Sequence, residues 1–356
     1  MKISIVIPTF NEADSISRLI SDIRRNLELN GYNNFEIIIV DDNSPDGTWM
    51  IVDEESRRDS RVKLIRRINI RGLGSAIVDG MRASTGDYII VMDADYQHPP
   101  EVIPELIKRA ISIGADIVVA SRYSRGGGVR GWSLLRKIIS YGALIIAYIL
   151  IAESRRTRDP ISGFFLVKRG VDIGCVKGKG YKVLLEILVA NPNAKVIDVP
   201  YVFRERLYGE SKLGLKDIID YIIQVLELSR ISKFAVVGAS GIPVNLGVMA
   251  LMLALGSPVD IASLAGIESS IAWNYLWHEV WTFKYMFRGG VKGVASRFVG
   301  YHVSVILGAA TQYAVMRILY TILSLNPLIG QLLGIIAGFI VNYTIARRIV
   351  WIKPRL

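Results

Sequence analysis

Short apolar runs mark the first third of this chain, and segments with helical periodicity separate them. Ile3–Ile7, Glu36–Val40, Val62–Ile65, Tyr88–Met92 and Asp116–Ala120 read as strands. Ala13–Glu28, Thr48–Arg58, Leu73–Ala83 and Pro100–Ile113 read as the helices between them. Strands joined through helices pair in parallel, because a parallel return needs a long crossover. The alternation therefore predicts an α/β domain whose mostly parallel sheet is covered on both faces. Such sheets bind ligands beyond the carboxyl ends of their strands. Pro8-Thr9-Phe10-Asn11-Glu12, the run from Asp41 to Gly47, and Asp93-Ala94-Asp95 each follow a strand. All fall on the same edge, which predicts one active site there.

The acidic run carries the chemistry. Side chains alternate along an extended backbone, so Asp93 and Asp95 point the same way. Like charges on one face repel unless a cation lies beside them. Carboxylate and amide oxygens are hard ligands that suit Mg²⁺ or Mn²⁺. Asp93, Asp95 and Gln97 therefore read as a metal site able to hold a diphosphate. The plainer alternative is a solvated acidic turn closed by Pro99-Pro100. At Asp41-Asp42 a carboxylate can accept a hydrogen bond from a nucleobase N–H or from ribose hydroxyls. Ser44 and Gly47 allow a tight turn beside that ligand. The same stretch suits a capped helix start at Asp46 or Thr48, and both readings hold together.

The length of 356 residues allows two or three domains. Apolar residues make up 51% of the chain, a high share for a wholly soluble protein. The net charge of +11 suits a nucleotide, a phosphate substrate or an anionic membrane surface. The single cysteine, Cys175, excludes an internal disulfide framework and makes a reducing compartment the default. Met1-Lys2 leads straight into a strand-like run, so no signal peptide is read there.

After Gly126-Gly127-Gly128 the texture changes. Ile138–Ala152 is almost unbroken apolar sequence but short for a span. It reads as a buried or membrane-surface helix, with a true span as the alternative. Leu215, Ile218, Ile219, Ile222 and Leu226 form a stripe at helical spacing, suiting an interfacial helix or a core-packing one. Beyond it lie four candidate transmembrane helices, Phe234–Leu255, Ile261–Trp281, Phe298–Leu319 and Leu328–Ile349. Lys284, Arg288, Lys292 and Arg297 lie between the second and third, and the C-terminal end is also basic. The opposite loops carry no Lys or Arg, so the catalytic domain and both termini are expected in the cytoplasm. Arg317, late in the third segment, breaks that pattern and reads as a snorkelling or functional cation. Ser232-Lys233-Phe234 matches Ser296-Arg297-Phe298, and Asn274-Tyr275 matches Asn342-Tyr343. Tandem helical hairpins of one orientation account for this repeat. The expected domains are a transferase domain over 1–212, an amphipathic interfacial helix over 213–233 and a four-helix membrane domain over 234–356.

A family resemblance now becomes specific. It rests on Ile5–Glu12, Val40–Thr48, Gly72-Leu73-Gly74-Ser75-Ala76, Met92–Pro100, Asp159–Phe165 and Gly209–Leu213. Together these segments resemble a family 2 glycosyltransferase of GT-A fold, and within that family the dolichyl-phosphate mannose synthases. Lys233–Gly241, Asn274-Tyr275-Leu276 and Trp281-Thr282-Phe283 resemble the GtrA-like membrane domain. The resemblance implies inverting transfer of mannose from GDP-mannose to dolichyl or another polyprenyl phosphate. It implies that Pro8, Phe10, Glu12, Val40 and Asp42 hold the nucleoside, and that Asp93, Ala94, Asp95 and Gln97 serve the metal and diphosphate. Phe10 replaces the Tyr usual in the family, losing a hydroxyl and keeping a stacking face.

A phosphate monoester acceptor is already largely dianionic near neutrality, so it needs no general base. It needs cations, and arginine's planar fork suits it. Motif correspondence assigns the acceptor phosphate to Arg122 and Arg136, with Ser140 as helper, and makes Asp95, Arg122 and Arg136 the catalytic set. Arg130 reads as a surface charge. Arg206 and Lys212 bracket Tyr208–Ser211 and correspond to a loop that closes over the donor diphosphate. His98 and His278 read as packing residues, since phosphate attack requires no base. Related enzymes transfer glucose from UDP-glucose, and a lipid-linked sugar flippase is a more distant alternative. A processive polysaccharide synthase is disfavoured by the absence of Gln-x-x-Arg-Trp.

Overall fold

Alternation along the strands decides how the first domain packs. In the computed structural model, Ile3, Ile5 and Ile7 of β1 (Ile3–Thr9) face one layer, with Ile37 and Ile39 of β2 (Phe35–Asp41). Val6, Ile38 and Val40 face the other. Both faces are apolar because helices cover both. The structure describes residues 1–178, 180, 182–205, 214–283, 291–323, 325 and 327–345. The chain forms two compact units, Met1–Leu228 and Ser229–Leu356.

In the first unit the strand order is β3-β2-β1-β4-β7-β5-β8. The further strands are β3 (Val62–Arg66), β4 (Tyr88–Val91), β5 (Ile117–Ser121), β7 (Phe165–Lys168) and β8 (Val196–Pro200). All pairings are parallel except those of β7, which runs antiparallel to both β4 and β5. A short ribbon of β6 (Gly128–Val129) and β9 (Val202–Phe203) lies apart from this sheet.

Helices α1 (Ala13–Leu29) and α4 (Ile103–Ile113) fill one layer through Ile16, Leu19, Ile20, Leu106 and Ile107. Helices α3 (Leu73–Ala83) and α6 (Val183–Ala190) fill the other through Ile77, Met81, Leu184 and Ile187. Helix α2 (Thr48–Arg58) follows β2. The segment expected as a helix from Pro100 opens as a 3-10 turn, Pro100–Val102, before α4. Strands β7 and β8 and helix α6 had no counterpart in the sequence reading. β7 is only four residues long, and α6 is buried on every side, so neither shows the periodicity of a half-exposed element.

Two longer helices complete the unit. In α5 (Leu134–Leu150), Leu134, Ile138, Tyr141, Ile145 and Ile149 are exposed at helical spacing. In α7 (Leu215–Leu228), Ile219, Ile222, Ile223 and Leu226 are exposed. The Tyr221 hydroxyl donates to the Ala143 carbonyl at 2.6 Å and ties α7 to α5.

The second unit is helical. It comprises α8 (Arg230–Ala254), α9 (Val259–Trp277) with a π turn at His278–Thr282, α10 (Val291–Leu323) and α11 (Pro327–Ile345). These coincide with the four segments expected to span a membrane. Among the described residues, no helix is long and apolar enough to cross one. Glu268, Asn274 and His302 interrupt the apolar runs.

The repeat in sequence is a repeat in packing. A Cβ on Gly241 of α8 would lie 2.6 Å from Asn274 Oδ1 of α9, and Gly308 of α10 meets Asn342 of α11 in the same way. The Phe234 ring lies 5.4 Å from Tyr343, and Phe298 lies 5.0 Å from Tyr275. Each hairpin thus offers its leading Phe to the other's Tyr. His278 stacks on Phe234 at 4.3 Å, a packing role.

At the amino edge of the sheet, Glu36 is buried on β2. It accepts from Ser4 Oγ at 2.6 Å, Thr85 N–H at 2.7 Å and Lys63 Nζ at 2.7 Å. Burial would raise its pKa, but these donors outweigh it and hold the carboxyl well below the ordinary range. A folded-state pKa below the unfolded one adds stability above the unfolded value of 4.5 and loses it as pH falls. Glu36→Gln is expected to lower stability by about 1.5–3 kcal/mol at pH 7. Below about pH 5, where the wild-type carboxyl loses this advantage, it should also flatten the acid-dependent fall of the melting temperature. Unchanged acid sensitivity would refute the assignment.

Candidate active site

Because β1, β2, β4 and β5 are parallel, their carboxyl ends share one edge. Antiparallel β7 starts at that edge, so the preceding loop, Asp159–Phe164, joins it as well. Three non-glycine residues have positive φ among the described residues: Asn11 at 60°, Asn43 at 55° and Tyr96 at 61°. They follow β1, β2 and β4. Backbone held in this region concentrates where loops are shaped for ligands.

The loops after β1 and β2 are laced together. Asp41 Oδ2 accepts from Thr9 Oγ1 at 2.8 Å and Ser44 Oγ at 2.7 Å, and Asp41 Oδ1 accepts the Ser44 N–H at 2.8 Å. Ser44 Oγ in turn accepts the Asn11 N–H at 3.0 Å. Thr48 Oγ1 accepts the Glu12 N–H at 2.9 Å. Gly47, at φ 86°, turns the chain into α2. Pro8 pairs with Val40 in register, so these residues sit together at the strand ends. The Arg71 guanidinium lies 5.1 Å over the Phe10 ring.

Asp42 is buried and accepts the Gly72 N–H at 2.7 Å, while Arg67 Nε lies 3.2 Å from its Oδ1. That contact is close but misaligned, since neither atom completes a hydrogen bond. Burial raises the Asp42 pKa, against the lowering effects of Gly72 and Arg67. Sequence reasoning chose Asp42 and missed Arg67.

After β4, Asp95 is buried and its Oδ1 accepts the Gln97 N–H at 3.1 Å. The Tyr96 hydroxyl donates to Asp22 at 2.7 Å and fixes the turn. Asp93 is the more open carboxylate, its side chain 36% exposed. Gly163 lies against it: a Cβ there would be 3.2 Å from Asp93 Oδ2. His98 Nδ1 accepts the Asp93 N–H at 3.0 Å, which places the ring proton on Nε2. Burial pushes the His98 pKa down to about 4, so the ring is neutral and its approach to the Asp93 carboxylate is not an ion pair. His98 stacks on Phe164 at 5.2 Å and meets Phe203 edge-on at 5.5 Å.

Arg122, at the end of β5, is buried against Asp159. Its Nε and Nη2 donate to that carboxylate at 2.7 and 2.8 Å, and its backbone N–H donates at 3.0 Å. Burial would lower the Arg122 pKa, but Asp159 raises it, so the guanidinium stays charged. Arg122 lies 5.5 Å from the Trp132 ring and Arg136 lies 4.7 Å from it. Ser140 Oγ is 2.7 Å from the Tyr123 hydroxyl. Arg122, Arg136 and Ser140 are therefore gathered into one cluster around Trp132 and Tyr123. Trp132 also packs on Phe203 at 5.4 Å, linking this cluster to His98 and the acidic turn. Gln97 Nε2 donates to the Arg204 carbonyl at 3.3 Å on the same side. Arg206 and Lys212 lie outside the described residues.

Asp159, Trp132 and Lys182 are site residues that sequence reasoning did not assign. Asp159 stood inside a noted motif, but only the antiparallel entry of β7 shows where it falls. Lys182 stands just before α6, where the charges of Arg122 and Asp93 act on it in opposite directions. Burial pushes its pKa down to about 8.

Among the described residues, no group of three or more His, Cys, Asp or Glu side chains could hold a metal alone. Asp93, Asp95 and Gln97 still offer hard oxygen donors on one turn. That set fits a cation sharing its remaining positions with substrate phosphates, the usual arrangement for Mg²⁺.

Asp159→Ala is expected to lower unfolding free energy by about 3–5 kcal/mol, since it strands a buried guanidinium. Arg122→Met should cost less than Asp159→Ala, and denaturant titration of both variants checks the order. Equal losses would mean that the stranded charge is not the dominant effect.

Comparison with known proteins extends this picture. Residues 4–174 match the model for glycosyl transferase family 2, and residues 233–351 match that for the GtrA/DPMS transmembrane domain. A dolichol-phosphate mannosyltransferase of Pyrococcus furiosus is 42% identical over 99% of this chain and 99% of its own length. That of Saccharomyces cerevisiae is 34% identical over 63% of this chain and 86% of its own. A solved structure of glucosyl-3-phosphoglycerate synthase from Mycobacterium tuberculosis matches 64% of this chain and 78% of its own, with 20% identity and a TM-score of 0.49. From its end-to-end similarity to the archaeal enzyme, the chain belongs to the dolichol-phosphate mannosyltransferases, with a family 2 glycosyl transferase domain followed by a GtrA/DPMS transmembrane domain.

Proposed function

We propose that this chain transfers mannose from GDP-mannose to dolichyl or another polyprenyl phosphate, with inversion at the anomeric carbon. The observation that carries this reading is the joining of two poles at one sheet edge. The acidic turn Asp93–Gln97 forms one pole and the Arg122–Trp132–Arg136 cluster the other, with His98 and Phe203 between them.

Each group has a role in that reaction. Pro8, Phe10, Glu12, Val40 and Asp42 cradle the nucleoside, with Asp42 accepting from the base. Asp93, Asp95 and Gln97, with the Ala94 backbone, would hold Mg²⁺ or Mn²⁺ and the diphosphate. A divalent cation bound there neutralises charge that builds on the leaving diphosphate. Arg136, Arg122 and Ser140 position the acceptor phosphate, whose oxygen forms the new bond as the bond to the diphosphate breaks. Arg122 is prefixed by Asp159, while Arg136 presents its charge from the exposed end of α5. Arg206 and Lys212 close over the diphosphate. No side chain has to remove a proton, which agrees with the neutral, packed state of His98.

The exposed apolar stripes of α5 and α7 suit a lipid surface, where a polyprenyl phosphate presents its headgroup. On this reading the transferase domain covers 1–212, an interfacial segment 213–233, and a membrane domain of four spans 234–356. The basic segments near Arg297 and at the C-terminus support a catalytic domain and both termini on the cytoplasmic side.

A donor screen tests the reading. Purified full-length protein is offered labelled GDP-mannose or UDP-glucose with a polyprenyl phosphate and a metal titration. Lipid-linked mannose is expected; product from UDP-glucose alone would overturn the donor assignment. Asp95→Ala and EDTA should each nearly abolish transfer, and full activity in metal-free buffer would exclude the metal site.

Arg136→Ala should slow transfer by one to two decades. That follows from about 1.5–3 kcal/mol for a charge-assisted contact at about 1.4 kcal/mol per decade. Calorimetry should show GDP-mannose binding nearly unchanged. Equal loss of donor affinity would move Arg136 to the diphosphate site.

A further inference from the structure

Helix α5 carries Arg136 and Ser140, and one side chain at the sheet edge ties it to Arg122. Tyr123 stands just after β5 and is half-buried. Its hydroxyl is 2.7 Å from Ser140 Oγ. Its ring lies 5.1 Å from that of Tyr141 and 5.3 Å from the Arg122 guanidinium. At the start of α5, Ser133 Oγ accepts the Arg136 N–H at 3.3 Å. Tyr123 therefore touches both the cation fixed by Asp159 and the helix that brings the second one.

Ser140 departs from the habit of helical hydroxyls. A serine or threonine in a helix can give its proton to the carbonyl four residues back. In this chain Ser84 gives to Gly80, Ser269 to Ala265 and Thr311 to Leu307, at 2.8, 2.7 and 2.9 Å. The hydroxyl of Ser140 meets Tyr123 instead of the Arg136 carbonyl. A hydroxyl has one proton and two acceptor lone pairs, and the phenol carries the more acidic proton of the two. Burial raises the Tyr123 pKa, so that proton stays on its oxygen. The Arg122 charge acts the other way and polarises the phenol O–H toward donation. With Tyr123 as donor, the Ser140 proton is left to serve another acceptor.

We infer that Tyr123 is a positioning residue on the acceptor side: its hydroxyl donates to Ser140 Oγ and so directs the Ser140 proton to an oxygen of the acceptor phosphate. The inference rests on the transferase reading above. A phosphate monoester has three terminal oxygens, and one of them must stay free to form the new bond. Arg122 and Arg136 supply charge, and guanidiniums can grip any pair of those oxygens. A hydroxyl of fixed direction adds a choice among them, which sets the oxygen that faces the anomeric carbon. Tyr123 is suited to fix that direction, because its ring is held between Arg122 and Tyr141.

The test uses full-length protein. Wild-type transfer from labelled GDP-mannose to a polyprenyl phosphate judges the transferase reading by itself, so the failures are separable. Tyr123→Phe keeps the ring and removes the hydroxyl. It is expected to lower transfer at limiting acceptor about three- to tenfold, the worth of one ordinary hydrogen bond. GDP binding by calorimetry and the melting temperature should stay at their wild-type values. Ser140→Ala should lose at least as much. In the Ser140→Ala background, Tyr123→Phe should cost nothing further, because the phenol acts only through that serine. Transfer by Tyr123→Phe within twofold of wild type at limiting acceptor would overturn the inference. So would additive losses in the double variant, which would give Tyr123 a separate task. A parallel fall in GDP binding and melting temperature would assign Tyr123 to the fold alone.

Discussion

The pair of Arg122 with Asp159 is the interaction on which the rest of the site depends. Asp159 is wholly buried and accepts three N–H bonds from one residue. The pair joins the end of β5 to the loop that enters β7, which runs antiparallel to β5. That reversal brings Gly163 against Asp93 and Phe164 against His98. Two cations of the acceptor cluster also depend on it. Trp132 lies between Arg122 and Arg136, so the place of the second follows from the fixed place of the first. A buried ion pair is a weak source of net stability, because desolvation offsets most of its attraction. Its value here is geometric. It aims a permanently charged side chain with little freedom left to lose.

The parallel part of the fold was legible because its strands are short apolar runs and its helices have one exposed face. Ile3, Ile5, Ile7 and Val6 show the alternation, and α1 shows the helical stripe. Strand-end residues could therefore be placed on one edge without coordinates. What could not be read is what depends on β7. Its four residues, Phe165–Lys168, look like the tail of a loop motif, and direction in a sheet leaves no mark in a sequence. The role of Asp159 was hidden for the same reason. The stretch before α6 is basic and glycine-rich and shows no periodicity that would place it. Only the Glu186 and Gln224 hydrogen bonds show that the loop is clamped inward. Arg122, Arg136 and Ser140 came from motif correspondence, and the Trp132 and Tyr123 contacts supply the physical reason that they lie together.

The second unit presents the opposite case. Its repeat was visible as Asn274-Tyr275 and Asn342-Tyr343, but the meaning of the paired residues was not. In each hairpin the Asn sits against a glycine of the preceding helix, where a Cβ would displace the Asn side chain. Small residues at such crossings let helix backbones approach closely. The reciprocal Phe–Tyr contacts then join the hairpins to each other. The repeat is broken at its polar positions. Arg297 pairs with Glu279, while Lys233, its counterpart, lies over the Trp281 ring at 5.9 Å. A duplicated frame with unequal charges can keep its packing while its two ends diverge in task.

Charge placement in the first unit follows one rule. Carboxylates that shape the turns are saturated by donors, as Asp41 is by Thr9 and Ser44. Asp93, which faces outward from the acidic turn, is far more exposed than buried Asp95 beside it. His98 supports that turn as a neutral acceptor and adds no charge to it. Arg122 and Arg136 gather around Trp132, which reaches His98 through Phe203. An acidic pole would repel an incoming phosphate dianion if nothing separated them. Phe203 and Trp132 stand between the acidic turn and Arg136, and Asp159 fixes the Arg122 guanidinium beside them. Transfer between two phosphates thus becomes a matter of holding like charges close without letting them meet.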